Sequence, residues 1–173
     1  MFGIPESELA SALTSMEEAG VSFDGLEVTT CLRRGEIEVA TTFEQEAAGR
    51  YSLFEDALID RFGQLIHALD GQTIDESVAQ LLKNSSLAVG ESCTGGLFSG
   101  RLTDQPGASA WLKGGVVAYS NQAKIDLLNV SSESIETNGA VSEDVALELA
   151  EGARRRFGSD YGVGITGIAG PDG

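Results

Sequence analysis

The second half of the chain alternates between two hydropathy patterns, and that alternation limits the folds open to it. Short apolar runs occur at Leu87-Ala88-Val89, at Gly114-Gly115-Val116-Val117-Ala118-Tyr119-Ser120 and at Tyr161-Gly162-Val163-Gly164-Ile165, each ending in polar or glycine-rich residues. Helical periodicity lies between them. The pattern predicts strands at 87–90, 115–119 and 161–165, and helices at about 94–103, 122–128 and 142–157. Strands and helices in alternation build α/β layers around a mostly parallel sheet. Open sheets of this kind bind ligands beyond the carboxyl ends of their strands. If the three runs are parallel neighbours, Ser92, Tyr119, Lys124 and Thr166 converge on one crevice.

The first half reads differently. Leu9, Ala12, Leu13 and Met16 form an apolar stripe over residues 5–19, with Pro5 near the first helical position and Gly20 just past the end. Two β-prone segments, 26–32 and 36–43, flank Arg33-Arg34-Gly35 and suggest a hairpin. Helical spacing returns over 53–65 through Phe54, Leu58, Phe62 and Leu65. These segments make a small α+β unit. Asp70-Gly71-Gln72 breaks the pattern, and Thr73-Ile74-Asp75-Glu76 has the form of a capping box opening a new helix. The expected organisation is therefore an α+β domain over 1–70 and a three-layer α/β/α domain over 71–173.

Charge and cysteine content narrow the function. The net charge is −16; residues 1–83 hold 16 acids and 5 bases, and residues 84–173 hold 11 and 6. Such a surface repels phosphate backbones, so a nucleic-acid partner is not expected. Cys31 and Cys93 do not make a disulfide framework. No run of about 18 apolar residues occurs, and the N-terminus lacks the pattern of a signal peptide. A cytoplasmic protein without a membrane partner is the expectation.

The chemistry concentrates in Glu91-Ser92-Cys93-Thr94-Gly95-Gly96, directly behind the first run. A strand-to-helix turn exposes side chains at the sheet's end, and its glycines let backbone N–H groups face a ligand. Ser92 is the expected nucleophile, and it needs a base. The only histidine, His67, lies in the other half and reads as a partly buried side chain on the helix with Leu65 and Ile66. A lysine of lowered pKa can replace it. Tyr119 could relay a proton or orient that lysine, or it could be an aromatic packed at a strand end. Amides near Cys93, Gly95 and Gly96 could hold an oxyanion or a phosphate, and Thr94 and Thr166 offer hydroxyls. Cys93 is the rival nucleophile, or a small buried residue. Glu91 reads as an anchor for the turn. Asp104 and Asp126 stand alone, so a metal site is not expected. Trp111 reads as core or interface. Arg154-Arg155-Arg156 complement a helix C-terminus on its solvated side, with phosphate contact as the alternative.

The motif over residues 91–96, Arg101-Leu102-Thr103-Asp104 with Pro106-Gly107, the 115–121 stretch with Lys124, Asn138-Gly139-Ala140-Val141-Ser142 and the 166–171 loop resemble the CinA C-terminal family. That family is also known as nicotinamide mononucleotide deamidase. The resemblance runs from about Leu81 to the last residue. Phe2-Gly3-Ile4-Pro5-Glu6-Ser7-Glu8-Leu9 resembles the start of the KH-like domain that precedes the module in CinA proteins. The resemblance implies hydrolysis of the nucleotide's carboxamide to nicotinic acid mononucleotide and ammonia, without a cofactor. It makes Ser92 and Lys124 a Ser-Lys pair with Tyr119 assisting, and Thr94, Gly95, Gly96, Thr166 and Gly167 substrate contacts. The alternatives are a nonenzymatic nucleotide-binding or interaction module, and a different amidohydrolase on the same scaffold.

The family continues beyond the 166–173 loop with further strands and a helix. The sheet is accordingly expected to be incomplete, with an unpaired edge through which the chain self-associates as a homo-oligomer.

Overall fold

The computed structural model describes residues 1–168 and Gly170; Ala169 and residues 171–173, the end of the expected glycine-rich loop, lie outside the described residues. The chain divides into two compact units, Met1–Ser77 and Val78–Gly173.

The first unit contains α1 (Glu6–Glu18), β1 (Leu26–Arg33), β2 (Glu36–Phe43) and α2 (Ala48–Phe62). The strands pair antiparallel around Arg34 and Gly35, whose φ values of 51° and 83° suit a two-residue primed turn. The α1 stripe meets Ile37 of β2 and Phe54, Leu58 and Phe62 of α2 in one core. α2 begins five residues before the predicted start, because 48–52 carry little apolar signal. It ends at Phe62 in a 3₁₀ turn, Gly63–Leu65. His67 follows in irregular chain rather than on a helix. Its Nε2 lies 3.1 Å from the Gln72 carbonyl and 3.3 Å from Glu36 Oε2.

The capping box forms. Glu76 N–H donates to Thr73 Oγ1 at 3.2 Å, and Thr73 N–H donates to Glu76 Oε2 at 2.8 Å. It opens α3 (Ile74–Leu81), and the division between the units falls inside this helix.

The second unit is α/β. It runs β3 (Leu87–Glu91), α4 (Leu97–Thr103), β4 (Leu112–Val117), α5 (Asn121–Leu128), α6 (Ser132–Asn138), α7 (Glu143–Phe157) and β5 (Tyr161–Ile165). The strands form a parallel sheet in the order β4-β3-β5, so all five residues of central β3 are buried. Ala88 packs on one face with Leu128 and Val130, and with Val145, Leu149 and Ala153 of α7. Leu87 and Val89 pack on the other with Leu102, Ala108 and Trp111, joined by Ala79 and Leu82. These are three layers, with Trp111 in the core.

α7 lies unusually close to the sheet. A Cβ built on Gly162 or Gly164 would collide with the carbonyl oxygen of Ala150 or Ala146, and one on Gly90 would come within 2.8 Å of the Leu149 oxygen. Glycines in the apolar runs therefore serve helix-on-sheet contact.

Three details differ from the sequence-based expectation. β4 starts at Leu112 and ends at Val117, three residues early at its start, with a register irregularity opposite Leu87 and Ala88. α4 starts at Leu97 because the residues before it form the turn. α6 was not expected: only Ile135 marks its apolar side. It is held by the Ser131 cap and by the Ser134 hydroxyl, which donates to Glu148 on α7 at 2.5 Å. Among the described residues, no helix is long and apolar enough to cross a membrane.

Candidate active site

Parallel pairing brings the turn after β3, the start of α5 and the end of β5 to one end of the sheet. Ser92 is buried, and its N–H donates to the Ile165 carbonyl at 2.9 Å, carrying the β3–β5 ladder one residue past β3. Gly95 and Gly96 follow with φ of 59° and 101°, two successive left-handed positions that a side chain would strain.

Gly96 is the N-cap of α4 and has no side chain to accept from the helix's first amides. Glu91 supplies the acceptor. It is 1% exposed, and its carboxylate receives Thr94 Oγ1 (2.6 Å), Gly96 N (3.0 Å), Phe98 N (3.1 Å), Ser99 N (2.8 Å) and Ser99 Oγ (2.6 Å). Burial opposes the charge, but hydrogen bonds from Ser99, Thr94 and Phe98 outweigh it and hold the carboxyl below its usual range. Ser99 escaped the sequence reading. The signal was a helix start capped by glycine, which requires an acceptor from elsewhere. Gly115 of β4 makes room for this network, since a Cβ there would collide with Ser99 Oγ.

Lys124 lies in the second turn of α5, whose N-cap Ser120 accepts from Ala123 N–H at 3.1 Å. The lysine is 3% exposed. Its Nζ donates to the Tyr119 carbonyl at 3.3 Å. Desolvation pushes its pKa down, partly offset by the neighbouring Cys93 sulfur. Tyr119 thus holds the lysine through its main chain, while the side chain is 65% exposed. Cys93 is half-buried, and its Sγ would lie 3.0 Å from a Cβ on Gly167. Gly167 therefore leaves space for the thiol.

The Thr94 hydroxyl donates to Glu91, and the Thr166 hydroxyl donates to the Ala140 carbonyl at 2.8 Å. Both keep lone pairs with which to accept. The expectation of open amides at Gly95 and Gly96 is not met: Gly95 N–H donates to Ser92 O at 3.1 Å, and Gly96 N–H goes to Glu91. Arg154 and Arg155 pair with Glu151, and Arg156 donates to the Leu127 carbonyl at 2.9 Å. These arginines are occupied within the α5–α7 surface.

The sequence profile of the CinA C-terminal domain family matches residues 71–173. The chain belongs to that family. Over its full length it is 53% identical to a CinA-like protein of Mycobacterium avium and 52% identical to one of Mycobacterium tuberculosis. It spans about 40% of the length of these relatives. Crystal structures of CinA-superfamily proteins share its fold. One from Escherichia coli is 36% identical, with a TM-score of 0.57 over 66% of this chain and 69% of that one. The competence/damage inducible protein CihA of Agrobacterium tumefaciens is 44% identical, with a TM-score of 0.52 over 58% of this chain and 59% of that one. In this CinA domain the turn from Glu91 to Gly96, Lys124 and Thr166 all fall inside the matched segment.

Proposed function

We propose that the second unit carries the hydrolytic centre of an amidase whose substrate is the carboxamide of nicotinamide mononucleotide. The observation that carries this reading is a lysine buried at the same sheet end as Ser92 and depressed in pKa by that burial. Burial disfavours the ammonium form of Lys124, whose Nζ is held by the Tyr119 carbonyl, and so favours its use as a base.

Neutral Lys124 takes the Ser92 hydroxyl proton as Oγ attacks the amide carbon. The C–N bond then breaks as the lysine returns that proton to the leaving nitrogen, which departs as ammonia. Water, deprotonated by Lys124, attacks the ester and releases the carboxylate and Ser92. Tyr119 orients the amine through its carbonyl, and its exposed phenol assists by relaying a proton. The hydroxyl oxygens of Thr94 and Thr166, together with the Gly95, Gly96 and Gly167 backbone, border the bound nucleotide.

One observation favours a second assignment of the nucleophile: Cys93 is a free, half-buried thiol directly after Ser92 in the same turn. Its sulfur, giving its proton to Lys124, could attack the same carbonyl. Ammonia release from nicotinamide mononucleotide by the whole protein tests both. Ser92→Ala is expected to lower kcat by several orders of magnitude and Cys93→Ala by only a few-fold. The reverse ranking transfers the nucleophile to Cys93. No release by the unsubstituted protein, with the nucleotide still bound, would leave a binding module.

A further inference from the structure

The N–H groups of the turn after β3 fall into two sets. Gly96, Phe98 and Ser99 donate to Glu91, Gly95 donates to the Ser92 carbonyl, and Leu97 donates to the Thr94 carbonyl at 3.0 Å. The N–H groups of Cys93 and Thr94 make no hydrogen bond among the described residues.

We propose that Cys93 N–H and Thr94 N–H are the donors that meet the charge developing on a substrate's carbonyl oxygen, and that Glu91 is the residue that positions them. The inference rests on the hydrolase reading above and adds the groups that stabilise its transition state. A helix start ordinarily offers several open amides to an anion. Here a buried carboxylate occupies them from within, so α4 presents neither free donors nor a positive end to a phosphate. The open donors are displaced to the residues directly after Ser92. In acyl transfer at a strand-to-helix turn, the amide following the nucleophile is well placed to hold the oxyanion. Among the described residues, the positive-φ non-glycine positions are Arg34 and Asn129, so Ser92 is not held in a left-handed conformation. The five hydrogen bonds to Glu91 fix the turn instead.

The test uses the ¹⁵N-labelled whole protein and pyridine-3-boronic acid, whose boron accepts a serine oxygen and becomes a tetrahedral anion. The amide resonances of Cys93 and Thr94 are expected to move on addition, while those of Gly96, Phe98 and Ser99 stay in place. Shifts at Gly95 and Gly96 without shifts at Cys93 and Thr94 overturn the proposal, as does the absence of any shift at those two. Glu91→Gln keeps the side chain's shape but turns one oxygen into a donor facing donors. It is expected to lower kcat by about 10²–10³ with KM changed only a few-fold, and to speed hydrogen exchange at Gly96, Phe98 and Ser99. Unchanged kcat in that variant overturns the positioning role. The boronate shifts are read without turnover. A protein that forms the adduct but releases no ammonia from nicotinamide mononucleotide therefore refutes the substrate assignment and leaves this inference standing.

Discussion

Lys124 shows how one buried side chain couples stability to chemistry. In the unfolded chain its amine titrates near 10.4; in the folded protein burial lowers that value. Between the two pKa values the unfolded state binds more protons, so stability rises with pH across that window. Below the folded pKa, the full cost of burying an ammonium is present. Lys124→Met removes the charge and keeps the volume. It is expected to abolish amidase activity, because Ser92 loses its base. It should also raise the melting temperature at neutral pH and flatten the rise toward alkaline pH. Melting curves between pH 7 and 10 decide this; a variant less stable at neutral pH would mean that the bond to Tyr119 outweighs the desolvation. The sequence displayed this lysine's position after the β4 run but not its burial. An eight-residue helix with a short apolar side gives no sign that its lysine turns inward. Glu91 was legible as an anchor because it precedes a turn rich in glycine. Its five hydrogen bonds, from four residues, were not, since they depend on where α4 begins.

At the scale of elements, β3, β5 and α7 carried clear signals, and the structure has them within a residue of the expected limits. β4 and α6 did not. Lys113 and Gly114 interrupt the apolar pattern that would have announced the first half of β4, and α6 is polar on nearly every side. The glycines of β5 read as interruptions of a strand but are the condition for α7's approach. Gly164→Ala places a methyl group against the Ala146 carbonyl and within 2.7 Å of Ala150 N. All the atoms met are α7 backbone, which has little room to relax, so the expected loss is about 3 kcal/mol or more. Chemical denaturation measures it. Gly49→Ala, on α2 where a Cβ meets nothing within 4 Å, is the control expected to be neutral or slightly stabilising.

At the scale of the molecule, among the described residues none is shared between the core of the first unit and the cores of the second. Met1, Ile4, Leu9, Phe54 and their neighbours belong to one; the clusters around Ala88 and Val89 draw only on residues from Ala79 onward. Units with separate cores can unfold separately. The sequence carried this division through a change of pattern near Asp70, although the helix opened by Thr73 runs across the structural boundary. Phe54 is 1% exposed and lies edge-on to Phe23, with ring centroids 5.1 Å apart. Phe54→Ala is expected to cost the first unit about 3–5 kcal/mol. Hydrogen exchange read residue by residue should then show lost protection in α1, β2 and α2, with β3, α7 and β5 unchanged. Amides of the Glu91 turn would keep their protection, and any amidase activity would persist at temperatures where the first unit has melted. A parallel loss of protection in β3 and β5 would show that the two units fold as one.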